Sequence, residues 1–195
     1  DQLYQDQTNA SGSIVGIYIW QVTDPYAAYV NDASNMLDAL KNEWLLNGTG
    51  ISRDLVHLLT KRSGASTGTG GIAYMDVLCD NDWGYGFSSD MNPDTIYTFP
   101  NPSYTWNLTV VTHEIGHNLG GAHDRVAASG PGLFDYSYGH HIDALEVMTI
   151  MSYSRDDEDR VPYFSNPSLT YEGYALGVSS SSPESADNAK TIELS

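Results

Sequence analysis

Three histidines and one glutamate in a single short stretch have the types and spacing of a metal-dependent active site. Residues 113–124 read HEIGHNLGGAHD, in which His113 and His117 are four residues apart and Glu114 follows the first of them. Side chains four apart project from one face of a helix, one turn apart, so both imidazoles can bind the same zinc ion. Glu114 is then placed beside the metal, where a carboxylate serves as general base.

Gly120 and His123 extend this pattern beyond the helix. A glycine at that point can adopt the left-handed conformation that ends a helix and turns the chain. The turn would bring His123 back as a third ligand. Three protein ligands leave a fourth zinc position for water, which is the catalytic and not the structural arrangement. The full HExxHxxGxxH pattern favours this interpretation over surface histidines without a metal.

The composition restricts the partners that the chain can have. Its 195 residues predict one soluble domain, and 25 acidic against 8 basic residues give a net charge of −17. We therefore expect no binding to nucleic acid or to anionic membranes. No apolar run reaches the roughly 18 residues that a membrane span needs. The polar start is compatible with a mature secreted form.

The single cysteine, Cys79, excludes an intramolecular disulfide and is expected to be a small buried hydrophobe. Acidic side chains cluster just after it. Asp80, Asn81, Asp82 and Asp90 supply oxygens suited to a structural calcium ion. An ordinary acidic loop is the alternative, and we consider it the better supported of the two.

Hydrophobic periodicity and helix-capping residues place the supporting elements. The predicted strands are residues 14–20, 54–60 and 71–79. The predicted helices run from Pro25 to Leu46, from about Ser103 to Leu119, and from Pro183 to about Glu193. Residues 80–102 are predicted to be a loop. An extended substrate can pair with the strand that begins at Gly71, Ile72, Ala73 and Tyr74. His57 is interpreted as a structural histidine.

The motif at 113–124, together with Thr149-Ile150-Met151-Ser152-Tyr153, resembles the metzincin metallopeptidases. In that clan a tight turn carrying methionine lies beneath the zinc site. The resemblance gives Met151 this packing role, with Met148 as the competing candidate. It also implies an α+β fold with a twisted, mostly parallel sheet, an antiparallel edge strand, an active-site helix and a small C-terminal subdomain ending in a helix. Residues 1–120 would form the upper and 121–195 the lower part of one catalytic domain.

Two branches of the clan share features with this chain. His123-Asp124 and the run HLLTKRSGASTGTGGIAYMDVLC look like the reprolysin (adamalysin-like) branch, whereas TIMSYS and YEGYALGV look closer to bacterial relatives that include peptidyl-Asp metallopeptidases. Tyr153 matches a position that binds zinc or stabilises the oxyanion in astacins and serralysins; a merely packed tyrosine is the alternative. Asp124 is expected to accept a hydrogen bond that orients the third ligand.

The resemblance also has departures. The reprolysin fold has a further strand and helix before the strand predicted at 14–20, so either this is a compact variant or an N-terminal piece has been lost. The disulfides common in that branch are impossible with one cysteine.

The resemblance implies a secreted, monomeric zinc endopeptidase that hydrolyses protein or peptide substrates, with a propeptide or a protein inhibitor as further partners. An inactive binding module with structural zinc and a non-proteolytic zinc hydrolase are the alternatives. Specificity for acidic side chains would require a cation in the substrate pocket. Arg155 and Arg160 follow the methionine turn, but we expect both to be surface charges.

Overall fold

The computed structural model describes residues 7–20, 24–29, 31–48, 50–62, 68–91, 106–155 and 158–195. These residues confirm a mixed α/β architecture with small sheets. The helices are α1 (Ala33–Asn47), α2 (Trp106–Asn118) and α3 (Asn188–Leu194). The strands are β1 (Val56–Leu59), β2 (Gly71–Ala73), β3 (Tyr85–Ser88), β4 (His141–Ile142), β5 (Val147–Met148), β6 (Asp159–Arg160), β7 (Thr170–Tyr171) and β8 (Tyr174–Ala175).

The first sheet positions the helix that carries the histidine motif. Its strand order is β1-β3-β2, with β3 parallel to β1 and antiparallel to β2. Tyr85 and Phe87 of β3 are buried in one cluster with Met36, Leu37 and Leu40 of α1. Helix α2 packs against β3 and β2. The sheet is therefore held between these two helices, and β2 lies beside α2 at the edge.

Strand β3 lies inside the stretch 80–102 that the sequence predicts to be a loop, so that prediction is wrong for residues 85–88. These residues read YGFS. The two aromatic side chains favour a strand, but Gly86 and the preceding Gly84 disfavour it and no β-branched side chain is present. Burial of all four residues between its neighbours stabilises the strand instead. Tertiary packing has overridden local propensity here.

The predicted strand 71–79 ends at Ala73, earlier than expected. Asp76 and Cys79 have left-handed backbones with φ of 56° and 64°, which a strand cannot contain. The amides of Asp76 and Val77 instead donate to the last carbonyls of α2, at His117 (3.0 Å) and Asn118 (2.9 Å). Cys79 lies on the resulting turn and is exposed, so the prediction that it is buried is wrong.

The predicted strand at 14–20 is also wrong, since these residues belong to no strand. Ile14 is 82% exposed and Ile19 77% exposed, although Tyr18 and Trp20 make ring contacts with Trp44 and Tyr26. The β-branched composition shows that a segment suits a pleated sheet, but a strand also needs a backbone partner. Residues 14–20 have no ladder partner within the described part of the chain.

Two helix starts differ from the sequence prediction. Helix α1 begins after Asp32, whose carboxylate accepts from the amide of Asn35 at 3.0 Å. The predicted cap, Asp24, instead precedes a short 3-10 turn at Ala27–Tyr29. Helix α3 begins after Asp187, which accepts from the amide of Lys190, and not at Pro183. The predicted cap of α2, Ser103, lies outside the described residues.

The second half of the chain packs beneath α2. Strands β4, β5 and β6 form a small sheet, and β7 and β8 form a hairpin. Ile150, Met151 and Phe164 are completely buried in a cluster that also contains Leu119, just after α2, and Ile192 of α3. None of the described helices has the length and apolarity that crossing a bilayer requires.

Candidate active site

The three motif histidines meet at one point. His113 and His117 lie on α2, and His123 returns after the helix has ended. The Nε2 atom of His123 is 3.2 Å from Nε2 of His113 and 3.0 Å from Nε2 of His117. Among the described residues, this is the only group of three or more His, Cys, Asp or Glu side chains positioned to bind a metal ion.

The chain turns at Gly120, which makes this convergence possible. Gly120 has φ of +87°, and its amide donates to the carbonyl of His117 at 2.8 Å. A side chain would strain this left-handed backbone, and a Cβ would also lie 2.6 Å from Cβ of Leu133. The glycine therefore ends the helix and redirects the chain so that His123 faces the two helical histidines.

The second ring nitrogens establish which atoms are available to a metal. Nδ1 of His113 lies 2.8 Å from the carbonyl of Ile150, and Nδ1 of His117 lies 2.8 Å from that of Gly121. A carbonyl only accepts, so each Nδ1 carries the proton and each Nε2 presents a lone pair. Zinc held tetrahedrally at about 2.0–2.1 Å would separate the ligand nitrogens by roughly 3.3 Å. The observed spacing and donor set fit such an ion.

Burial keeps the three imidazoles neutral. Desolvation lowers the pKa of His113 well below its ordinary value, with the neighbouring His117 as a further cause. Desolvation also lowers the pKa of His117, and it lowers that of His123 to about 4. Neutral imidazole is the form that binds a metal. The site is therefore in its ligating state at neutral pH.

Glu114 is buried beside this group, against the backbone of Gly71. A Cβ built on Gly71 would lie only 2.5 Å from Oε1 of Glu114. Burial raises the pKa of Glu114 to about 8, although the positive charge of Arg160 acts in the opposite direction. A carboxyl group with a pKa near the working pH can both accept and return a proton. A cation among the histidines would lower this pKa and favour the carboxylate.

A turn carrying Met151 supports the floor of the site. The amide of Ser152 donates to the carbonyl of Thr149 at 3.0 Å, and Ile150 within the turn provides the carbonyl that orients His113. A Cβ on Gly116 of α2 would lie 2.6 Å from Sδ of Met151. Met151 therefore packs directly under the histidine helix, whereas Met148 lies in strand β5.

Asp124 joins the third histidine to this turn. Its carboxylate accepts from the amides of Val126 (3.0 Å), Ala127 (3.2 Å) and Tyr153 (3.1 Å). Burial alone would raise the pKa of Asp124, but these donors lower it below its ordinary value. The ring of Tyr153 lies over that of His123, with 3.9 Å between centroids, and is 47% exposed. Tyr153 is thus not enclosed in the core.

A cavity of about 290 Å³ opens over the histidines. Its lining residues are Thr69, Gly71, Ile72, Ala73, Met75, Glu114, His117, His123 and Tyr153. The predicted substrate strand therefore reaches the cavity through Gly71, Ile72 and Ala73. Tyr74 does not line it: its hydroxyl donates to Asp38 of α1, and its carbonyl accepts from Asn118 at 2.7 Å.

The structure gives two residues near the site a role that the sequence analysis did not assign to them. Asn118 joins the end of α2 to the sheet through the carbonyls of Tyr74 and Tyr85, and its place directly after His117 is the only signal of this role. Arg160 is 8% exposed, so the prediction that it is a surface charge is wrong; Arg155 is exposed as expected. Strand pairing of β6 with β5 buries Arg160, and no local pattern encodes that pairing.

The acidic residues after Cys79 form an ordinary turn in the structure. The carboxylate of Asp80 accepts from the amide of Asp82 at 3.0 Å, and both side chains are exposed. Calcium binding there stays a prediction.

Comparison with known proteins agrees with this geometry. The model of the reprolysin-like metallopeptidases of family M12B matches residues 4–182. A peptidyl-Asp metalloendopeptidase of Stenotrophomonas maltophilia is 36% identical over 86 residues, which are 41% of this chain and 19% of that protein. A protein of the same description from Xanthomonas campestris is 35% identical over 82 residues, which are 41% of this chain and 18% of that protein. The matched segment thus spans about a fifth of these relatives.

A solved structure described as a chaperone–substrate complex has a TM-score of 0.63 at 17% identity, and the match covers 98% of this chain and 28% of that one. This likeness concerns the fold alone. The family match extends over most of the sequence and includes the histidine motif, the methionine turn and Tyr153. The chain therefore belongs to the reprolysin-like metallopeptidases of family M12B.

Proposed function

We propose that this chain is the catalytic part of a zinc-dependent endopeptidase. One observation carries the proposal: three imidazole lone pairs converge beside a buried glutamate, in a cavity whose wall is a sheet edge. His113, His117 and His123 would hold the ion. When bound, zinc would supply a water molecule with a pKa near 7 and polarise the peptide carbonyl.

Glu114 is the general base in this proposal. Its carboxylate faces the cavity, close to Gly71, and burial raises its pKa to about 8, which a bound cation would lower. It would accept the proton of the attacking water and then transfer it to the leaving amine. Met151 and Asp124 would keep the helix and the third histidine in place without contacting the substrate.

Tyr153 is proposed to assist at the carbonyl oxygen. Burial raises the pKa of its phenol above the ordinary value, so the hydroxyl stays protonated and can donate a hydrogen bond at neutral pH. Its ring lies beside His123 and lines the cavity. A donor at this position would stabilise negative charge developing on the carbonyl oxygen.

Strand β2 would bind the substrate backbone. It pairs with β3 on one side and, among the described residues, is the last strand of its sheet; its three residues line the cavity. An extended peptide could pair with this edge and bring its scissile bond over the histidines. Hydrogen bonds to the backbone would then account for binding, whereas cavity side chains would account for selectivity.

The matched relatives are described as peptidyl-Asp metalloendopeptidases. We propose the same class of peptide bond, next to aspartate, as the specificity of this chain.

The test is a panel of internally quenched peptides incubated with the zinc-loaded protein, with and without a chelator. We expect cleavage at internal bonds, loss of cleavage after chelation and recovery when zinc is restored. Cleavage that survives complete zinc removal would contradict the proposal. A zinc-binding protein that cleaves no peptide would instead support the non-catalytic alternative.

A further inference from the structure

Arg160 is a buried cation next to the proposed active site. It is the second residue of strand β6, which pairs with β5, and its side chain is almost completely enclosed. Its Nη2 donates to the carbonyl of Ser152 at 2.8 Å. Ser152 lies between Met151, which packs under α2, and Tyr153, which lines the cavity. The guanidinium is therefore fixed to the turn that forms one wall of the site.

The charge of Arg160 acts on the reacting groups. It lowers the pKa of Glu114 and of Tyr153, and it also lowers the pKa of His113 and His123. Burial lowers the pKa of Arg160 itself to about 10, so it stays positively charged at neutral pH. A guanidinium in a site shielded from water attracts an anion more strongly than one at the surface.

Arg155 is a different kind of cation and provides a natural comparison. It is exposed, and its guanidinium pairs with Asp143 at 3.0 Å and with Glu158 at 3.6 Å. Asp143 is exposed, whereas the side chain of Glu158 is largely buried. Neither arginine is among the residues that line the cavity, but only Arg160 acts on the pKa of Glu114 and of Tyr153. Arg155 is five residues from Arg160 in the chain. Its replacement removes one positive charge from the same segment and therefore serves as a matched control.

The overall charge of the chain makes a local cation important for an acidic substrate. A net charge of −17 repels acidic peptides at long range. Selection of an acidic side chain therefore requires a positive group close to the scissile bond, where short-range attraction exceeds the general repulsion. Arg160 meets this requirement because it is hydrogen-bonded to Ser152, the neighbour of the cavity-lining Tyr153, and because its charge reaches Glu114 and Tyr153.

We propose that Arg160 is a specificity-determining residue, whose guanidinium recognises the carboxylate of an acidic residue next to the scissile bond. This assignment rests on the proposed peptidase function. The planar fork of N–H donors on arginine matches a carboxylate in two-point contact, which lysine cannot reproduce. Asparagine has nearly the shape of aspartate but no charge, so Asp and Asn peptides that are otherwise identical separate charge recognition from fit.

The experiment measures kcat/KM for matched peptides with Asp or Asn on either side of the cleaved bond. Proteins to compare are the zinc-loaded wild type, Arg160→Met, Arg160→Lys and the control Arg155→Met. A charge-assisted contact predicts that the wild type prefers Asp by about 10- to 100-fold. We expect Arg160→Met to lower this ratio to near one, Arg160→Lys to retain part of it, and Arg155→Met to keep the wild-type ratio. Zinc content and thermal melting identify variants that have lost the fold.

A purely structural role for Arg160, in holding the carbonyl of Ser152, would slow Asp and Asn peptides equally and leave the ratio unchanged. That result in Arg160→Met, or in Arg160→Lys if the methionine variant does not fold, would overturn the assignment. A wild type that cleaves both peptides equally would also overturn it, even without any variant. If no peptide is cleaved in a chelator-sensitive way, the peptidase function itself is overturned. This outcome differs from a failure of the Arg160 assignment alone, in which peptides are cleaved but the Asp/Asn ratio does not change. Calorimetric binding of short Asp and Asn peptides to the same proteins gives a readout independent of turnover.

Discussion

Replacing Gly71 by alanine tests the contact between the sheet edge and Glu114. A Cβ at this position would lie 2.5 Å from Oε1, 2.7 Å from Cγ and 2.8 Å from Cδ of Glu114. Ordinary contacts of this kind begin at 3.4 Å, so the carboxylate must move by about 0.9 Å. The contacted atoms belong to the side chain of Glu114 and not to the backbone, so we expect the side chain to shift while the fold is kept. A displacement of about 1 Å in a reacting group can cost on the order of 100-fold in rate.

Gly70→Ala is the matched control, because a Cβ there meets nothing within 4 Å and the backbone is not left-handed. Both substitutions restrict the unfolded chain equally, an effect of about 0.4–1 kcal/mol in stability. We expect the two variants to melt at similar temperatures and to bind zinc equally. We expect kcat of Gly71→Ala to fall by roughly 100-fold, while Gly70→Ala keeps wild-type kcat.

The assay is steady-state hydrolysis of a quenched peptide, accompanied by thermal melting. The division between kcat and KM is informative, because obstruction of the substrate strand alone would raise KM and leave kcat unchanged. A folded Gly71→Ala protein with kcat within twofold of the Gly70→Ala control would refute the placement of Glu114 as base against this strand.

Three other substitutions follow from the packing and charge of the described residues. Burial lowers the pKa of His57 from 6.5 to about 4, so its contribution to stability is present above pH 6.5 and is lost as pH falls toward 4. In denaturant titrations with chelator, the free energy of unfolding of the wild type should therefore fall across that pH range by up to roughly 3 kcal/mol more than that of His57→Gln. Parallel plots of this free energy against pH for the two proteins would contradict the prediction. Asp124→Ala removes the acceptor of the Tyr153 amide and should lower the free energy of unfolding by about 1–3 kcal/mol at neutral pH. A variant as stable as the wild type in the same titrations would be inconsistent with that role of Asp124. Gly116→Ala places a methyl group against Met151 and should lower the free energy of unfolding by about 1–3 kcal/mol, despite the better helix propensity of alanine. A melting temperature above the wild-type value would contradict this, because it would show that Met151 can move aside without loss of stability.

The sequence predicts the local features of the site well because they depend on short spacing. His113 and His117 share a helix face by periodicity, and the left-handed backbone of Gly120 is of the kind that glycine adopts most readily. The presence of helix α1 is also predictable from its apolar stripe, although its start is not, since Asp24 and Asp32 are both suitable caps. Boundaries of this kind are decided by which cap the surrounding packing permits.

The remaining features depend on contacts between distant parts of the chain. Strand β3 has a weak strand composition and forms because β1, β2 and two helices enclose it. Residues 14–20 have a strong strand composition and form no strand, because propensity does not supply a pairing partner. Arg160 has the appearance of a surface charge in the segment RDDEDR, and only the pairing of β6 with β5 buries it. No local pattern contains this information.

The most direct test of Glu114 as general base compares zinc content and peptide cleavage in the wild type and in Glu114→Gln. The substitution keeps the size of the side chain and leaves the three histidines unchanged, but removes the proton acceptor. We predict one zinc ion per chain in both proteins, and a cleavage rate in Glu114→Gln that is lower by at least 100-fold. A Glu114→Gln protein that retains its zinc and cleaves peptides at the wild-type rate would contradict the role of Glu114 as the general base.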